Sequence, residues 1–170
     1  MIGKREVTVA VAAHDPVERE SPLDVALVQA VSSGDRMDLT LQKAVELGVR
    51  RLVPVESERC VVRLKGERAD KRMSHWQQVV ISACEQCGRN RVPALQALVS
   101  LEAWLAAARS DGQRWVLLPG AETPLRELPR PAGPVEILVG PEGGFTDAEA
   151  AAAQRAGYRP LRLGPRVLRT

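Results

Sequence analysis

Alternating β-branched and small residues open the chain. EVTVAVAA (Glu6–Ala13) predicts a strand, and the HDPVERESP stretch behind it a polar turn segment. DVALVQAV (Asp24–Val31) predicts a second strand, and Ser33–Gly34–Asp35 then punctuates. A helix is expected from about Arg36 to Leu47, with Gly48 in the C-terminal cap position. RLVPV (Arg51–Val55) reads as a short buried strand. Behind it Ala69, Met73, Trp76, Val80, Ala83 and Cys87 recur at steps of three or four, the stripe of a long amphipathic helix. A shorter helix is predicted over Leu101–Ala108 and a strand over RWVLLP (Arg114–Pro119). VEILVG (Val135–Gly140) is a continuous apolar strand. Thr146 with Glu149 forms a capping box that starts the next helix, with Phe145 placed for a hydrophobic staple. That helix stops at Gly157, and YRPLRLG (Tyr158–Gly164) makes the last strand. Strand and helix in alternation predict an α/β domain with a mainly parallel sheet.

Composition narrows this picture. In 170 residues one good core is the expectation. Aromatics make up only 3%, so Val, Leu, Ala and Ile must build the core, a mix that suits helices packed on a parallel sheet. No apolar run approaches the roughly 18 residues of a membrane span. MIGKREVTV lacks the apolar region of a secretory signal, so a cytoplasmic protein is expected.

The net charge of +3 is unevenly placed. Arg50–Arg91 holds ten basic residues against five acidic ones, and Arg155–Thr170 holds five arginines and no acid. Two basic stretches on a near-neutral chain fit a polyanion partner and fit solvated helix faces equally well.

In an open α/β sheet ligands bind beyond the carboxyl ends of the strands. Three loops qualify: PGAE after Leu118, GPEGG after Val139 and GPRVLRT after Leu163. GPEGG has neither the lysine of a GxxxxGK[ST] loop nor the GxGxxG spacing, and Glu142 would repel a phosphate. An uncharged or cationic nucleoside fits such a loop better, S-adenosylmethionine among them. A tight strand-to-helix connection accounts for the glycines with similar weight.

Longer blocks add to that reading. LVGPEGGFTDAE together with LRLGPRVLRT resembles the signature of SPOUT-class methyltransferases, and in detail that of the RsmE-type family, which methylates N3 of a uridine in 16S ribosomal RNA of the small subunit. GDRMDLTLQKAVELGV (Gly34–Val49), PVESERCVV (Pro54–Val62) and the block from Trp76 to Pro93 with ACEQCGRNRVP match the same family in its order and spacing. The resemblance implies an α/β domain over residues 20–170 whose C-terminal segment threads a loop in a trefoil knot, an exception to the usual absence of knots. It implies S-adenosylmethionine as cofactor, no metal, and a homodimer acting on the small ribosomal subunit. Residues 1–19 would be the remnant of a PUA-like β-barrel that binds RNA, and the family's final helix would follow Thr170.

Carried over by motif, the cofactor pocket would be lined by Leu117, Leu118 and Pro119, by Val139, Gly140, Pro141, Glu142, Gly143 and Gly144, and by Leu163, Gly164 and Leu168. Arg89 or Arg166 would stabilise the base anion, and Glu142 would order the cofactor loop or the base. Arg59, Arg63, Arg89, Arg91 and Arg169 would meet RNA. A related enzyme with another RNA target and a non-catalytic RNA-binding module are the competing readings.

Cys84 and Cys87 form a C-x-x-C at the end of a long helix, and only Cys60 and His75 remain to complete a zinc set, at no familiar spacing. Packing is the favoured account. His14 and His75 lack a Ser or Cys partner in a nucleophile motif and read as structural or surface residues.

Overall fold

The computed structural model describes residues 7–107 and 112–166. In chain order the elements are β1 (Val25–Ala30), α1 (Asp35–Glu46), β2 (Arg51–Glu56), α2 (Glu67–Cys87), β3 (Ala94–Leu95), β4 (Val99–Ser100), α3 (Leu101–Ala106), β5 (Gln113–Leu117), β6 (Val135–Val139), α4 (Asp147–Arg155) and β7 (Arg159–Leu161). The strands form one seven-stranded sheet in the order β3-β2-β1-β6-β5-β7, with β4 also on β2. Every strand pairing among the described residues is parallel. The domain is therefore the α/β type that the alternation of periods predicts.

β3 and β4 share one edge of β2, and neither was foreseen from the sequence. Arg51 faces Ala94 and Leu52 faces Leu95, but Val55 faces Val99, so the edge gains one residue between the two pieces. Pro54 accounts for the break. The Leu52 carbonyl accepts from Gln96 on that edge, while the Val55 carbonyl accepts from Val31 on the other side. Alternation then turns position 54 toward β3 and β4, where proline has no N–H to give.

α1 and α2 cross from β1 toward β3, whereas α3 and α4 cross the opposite way. Right-handed connections place the two pairs on opposite faces of the sheet. Met37, Leu41 and Val45 of α1, Trp76, Val80 and Ala83 of α2, Leu101 and Trp104 of α3 and Ala153 of α4 are all buried in the main core. The predicted α2 stripe is thus the buried stripe. Gly48 follows α1 and Gly88 follows α2 at φ 88° and 75°, so each helix stops where only glycine turns without strain.

At the amino ends of β5 to β7 a buried polar set joins three elements. Trp104 Nε1 donates to Tyr158 Oη at 2.9 Å, and Tyr158 Oη donates to Glu136. On the alternate face of the same strands, Trp115, Val135 and Leu161 make a second, smaller cluster. Arg159 stacks over the Trp115 ring at 4.4 Å.

Three expectations change. The described part of Glu6–Ala13 forms no strand, and Val7, Val9 and Val11 are exposed, because an alternating run is a strand only beside an edge that pairs with it. The last strand ends at Leu161, with Arg162 making only an isolated bridge to Pro124. α3 ends at Ala106, and Ala108 lies outside the described residues. Residues 167–170, which belong to the segment expected to thread a knot, also lie outside them.

Candidate functional site

All strands point the same way, so their carboxyl ends share one rim. The three Gly/Pro loops predicted from the sequence meet there around a cavity of about 430 Å³. Leu117, Leu118 and Pro119 supply one wall at the end of β5, and Val139, Gly140, Pro141, Glu142, Gly143 and Gly144 the floor at the end of β6. Leu163, Gly164 and Arg166 close it behind β7. Leu168 and Arg169 lie outside the described residues. Phe145, Leu161, Arg162, Pro165 and Arg59 also line the cavity, and sequence reasoning gave none of them this place.

The GPEGG loop curls back on itself. Gly144 has φ 68° and its N–H donates to the Pro141 carbonyl at 2.8 Å. A Cβ on Gly140 would stand 3.4 Å from the backbone of Gly144 and from the Phe145 ring, tight enough to open the curl. Directly beyond it, Thr146 caps α4: its hydroxyl accepts from Glu149 N at 3.2 Å and its N–H donates to Glu149 Oε2 at 2.9 Å. This is the predicted capping box. Glu149 Oε1 also accepts from Glu58 N at 2.7 Å, which ties α4 to the loop after β2.

Glu142 lines the cavity with one oxygen engaged outside it and Oε2 buried without a partner among the described residues. Its Oε1 accepts from Ser33 N at 2.9 Å, from Ser33 Oγ at 2.7 Å and from Arg36 at 3.0 Å. Burial alone would push this carboxyl up, but the hydrogen bonds from Ser33 and Arg36 outweigh it and hold the pKa at about 2. Gln29, buried in β1, donates to the Gly140 carbonyl at 3.4 Å. From the other side Arg59 donates to the carbonyls of Gly143 and Phe145 at 3.1 and 3.2 Å. The carboxyl ends of β1, β2 and β6 are thus joined through this one loop.

Cations gather at the same rim. Arg59 is exposed beside the loop, Arg166 is exposed, and Arg162 has a buried Nε without a partner among the described residues. Arg63 donates to the Glu58 carbonyl at 2.6 Å and remains exposed. Arg91 is not among them: it pairs with Glu18 at 3.2 Å, exposed and close to Glu20.

Arg89 occupies a different place from the one expected of it. Its side chain is 5% exposed, and Nε and Nη2 both donate to Glu20, itself 6% exposed. Nη1 donates to the carbonyls of Val45 and Val49, each at 2.9 Å. These carbonyls close α1 at the amino ends of the strands, where Arg50 N bonds the Val25 carbonyl. Arg89 therefore sits at the opposite rim from the cavity, with all three nitrogens engaged. The expectation that it meets the base or the RNA is corrected: it anchors the segment before β1 to the ends of α1 and α2.

Outside the cavity, His75 pairs with Asp38 at 2.6 Å, in a polar groove between α1 and α2. Cys60 and Cys84 are buried, Cys87 is half-buried, and all three are free thiols. No cluster of metal-ligating side chains occurs among the described residues. No helix of the described residues is long and apolar enough to cross a membrane.

Comparison with known proteins places this geometry. Residues 19–170 match the model of a family described as an RNA methyltransferase domain. The chain is 38% identical over 151 residues to ribosomal RNA small subunit methyltransferase E of Buchnera aphidicola subsp. Schizaphis graminum, covering 89% of this chain and 61% of that protein. With the protein of the same name from Bacillus subtilis it shares 28% identity over 178 residues, covering 99% and 69%. Among solved structures, ribosomal RNA small subunit methyltransferase E of Neisseria gonorrhoeae bound to S-adenosyl methionine superposes with a TM-score of 0.87. The two are 47% identical, over 92% of this chain and 64% of that one. A putative methyltransferase of Legionella pneumophila in complex with the same cofactor gives 0.85 and 42%, over 90% and 63%. The chain spans about three fifths of the length of the first of these curated relatives. With a match that runs from residue 19 to residue 170, the chain belongs to the RNA methyltransferase domain family.

Proposed function

We propose that this chain is the cofactor-binding and catalytic part of an enzyme that transfers a methyl group from S-adenosylmethionine to N3 of a uridine in 16S ribosomal RNA. The single observation that carries the reading is the cavity itself: three Gly/Pro loops, at the carboxyl ends of adjacent parallel strands, in a chain of this family. The names of its relatives support the substrate, and the S-adenosyl methionine held by the Neisseria gonorrhoeae and Legionella pneumophila proteins supports the cofactor.

The residues present fit that cofactor. The volume falls within the roughly 300–1,000 Å³ of small-molecule sites. Leu117, Leu118, Val139 and Leu161 offer apolar walls, and the GPEGG backbone lies open to a nucleoside. Arg59 and Arg162 at the rim suit a ligand with a carboxylate and a substrate with phosphates. Glu142 gives Oε1 to Ser33 and Arg36, which suits a part in shaping the loop.

When bound, S-adenosylmethionine supplies the methyl group. The protein's work is to hold the uracil ring and to favour loss of its N3 proton. An exposed guanidinium at the cavity mouth would stabilise the anion on the base oxygens, a role we give to Arg166, which lines the cavity. Arg59 and Arg63, on the loop after β2, are placed to meet RNA phosphates beside the cavity. Residues 1–19 belong, on this reading, to a preceding PUA-like RNA-binding domain, and the active enzyme is a cytoplasmic homodimer. No metal takes part in this scheme.

The test is incubation with small ribosomal subunits that lack the modification and labelled S-adenosylmethionine, followed by nucleoside mass spectrometry. N3-methyluridine is the expected product. A different methylated nucleoside would move the target elsewhere in RNA, and no heat on calorimetric titration with the cofactor would mark a binding module without catalysis. Arg166→Ala should lower turnover by roughly 10²-fold while leaving cofactor affinity nearly intact.

A further inference from the structure

On one side the cavity's central loop is held by residues that do not line the cavity. Glu142 lines the cavity, and its Oε1 takes three donors from Ser33 and Arg36. Neither of those residues touches the cavity. They stand at the junction of β1 and α1, where Gly34 starts the helix at φ 55° with no side-chain cap of its own. The Glu142 carboxylate, arriving from a loop 109 residues later in the chain, supplies negative charge at that helix start.

A second hold comes from the loop after β2. One Arg59 nitrogen bridges the carbonyls of Gly143 and Phe145, which have no partner in a helix or sheet. The fit is close: a Cβ on Gly143 would stand 3.3 Å from Arg59 Cβ. Between the two holds the backbone makes its curl at Gly144.

We propose that Ser33 and Arg36 on one side, and Arg59 on the other, are positioning residues that set the 140–145 loop in its ligand-accepting shape before any ligand arrives. A glycine-rich loop left free would have to be ordered on binding, and that ordering opposes affinity. Fixing it in advance through Glu142 and two backbone carbonyls removes the opposition. The inference rests on the reading of the cavity as an S-adenosylmethionine site. It also assigns to Arg59 a role in the loop, besides any contact with RNA.

The experiment pairs two measurements on the full chain. Amide hydrogen exchange of residues 140–146, without ligand, reads the loop directly, and calorimetry with S-adenosylmethionine reads its consequence. Ser33→Ala combined with Arg36→Gln should speed exchange in that loop and weaken cofactor binding about tenfold, which is about 1.4 kcal/mol. Turnover at saturating cofactor should change less than about twofold, since no reacting group is lost. Arg59→Ala should speed exchange in the same segment, and Arg59→Lys should restore it only in part, because an ammonium lacks the planar fork. Unchanged exchange in both variants, or unchanged affinity in the Ser33/Arg36 pair, overturns the proposal. Should the wild-type protein take up no S-adenosylmethionine, the functional reading fails. The exchange rates alone then decide whether these residues hold the loop.

Discussion

Two carboxylates in this chain are held ionised by different means, and acid separates them from the surface acids. Glu142 is kept at about pH 2 by Ser33 and Arg36 against the opposing effect of burial. Glu20 is lowered by its hydrogen bonds from Arg89, again against burial. A folded pKa below the unfolded value of 4.5 adds stability that is complete above that value and lost as pH falls through the folded one. Urea unfolding of the wild type and of Glu142→Gln should therefore differ most near neutrality and converge as the pH drops toward 2. A gap that stays constant across that range would deny the carboxylate its part. Arg89→Ala leaves the buried Glu20 without its cation and strips two helix-end carbonyls of a donor. A loss of about 3–5 kcal/mol is expected, measured by the same unfolding. Sequence alone could not assign these partners. Ser33 and Glu142 are 109 residues apart, and Arg89 and Glu20 are 69 apart. The resemblance gives Arg89 to the base or the RNA, and only the packing of Glu20 against it removes Arg89 from solvent.

Local signals were legible where they carried their own chemistry. Thr146 and Glu149 announce the start of α4 because both halves of a capping box lie within four residues, and the hydrogen bonds are as the spacing requires. Gly48, Gly88 and Gly157 mark helix ends for the same reason: positive φ is readable from one residue type. β3 and β4 carry no such signal, since two residues have no period, and the edge they make depends on Pro54 of another strand. Glu6–Ala13 fails in the opposite way, with a strand's pattern and no strand among its described residues. The capping box supports a graded prediction. Thr146→Ala should cost about 1 kcal/mol of stability. Glu149→Ala removes the reciprocal cap and also the acceptor for Glu58 N, so it should cost more. Denaturant titration of the two variants gives the order, and a Thr146 variant as damaged as the Glu149 one would detach α4 from the loop after β2.

At the scale of the molecule, the two rims of the sheet do separate work. The amino rim is locked: Arg89 and Glu20 close one half, while Trp104, Tyr158 and Glu136 join α3, β7 and β6 in the other. Tyr158→Phe, which takes a hydroxyl from the middle of that set, should lose about 1–3 kcal/mol. The carboxyl rim instead holds the glycine-rich loops and the cavity. Because parallel strands keep the rims a full strand length apart, perturbations of the two should add and not couple. Ligand linkage measures this. A ligand at 100 times its Kd stabilises the folded state by about 2.7 kcal/mol, whatever the starting stability. Arg89→Ala should therefore begin from a lower unfolding free energy yet gain the same increment from S-adenosylmethionine as the wild type. The Ser33/Arg36 pair of substitutions should lose part of that increment at the same cofactor concentration. If Arg89→Ala loses the increment as well, the amino rim reaches the cavity after all, and Arg89 regains a place in the function of the site.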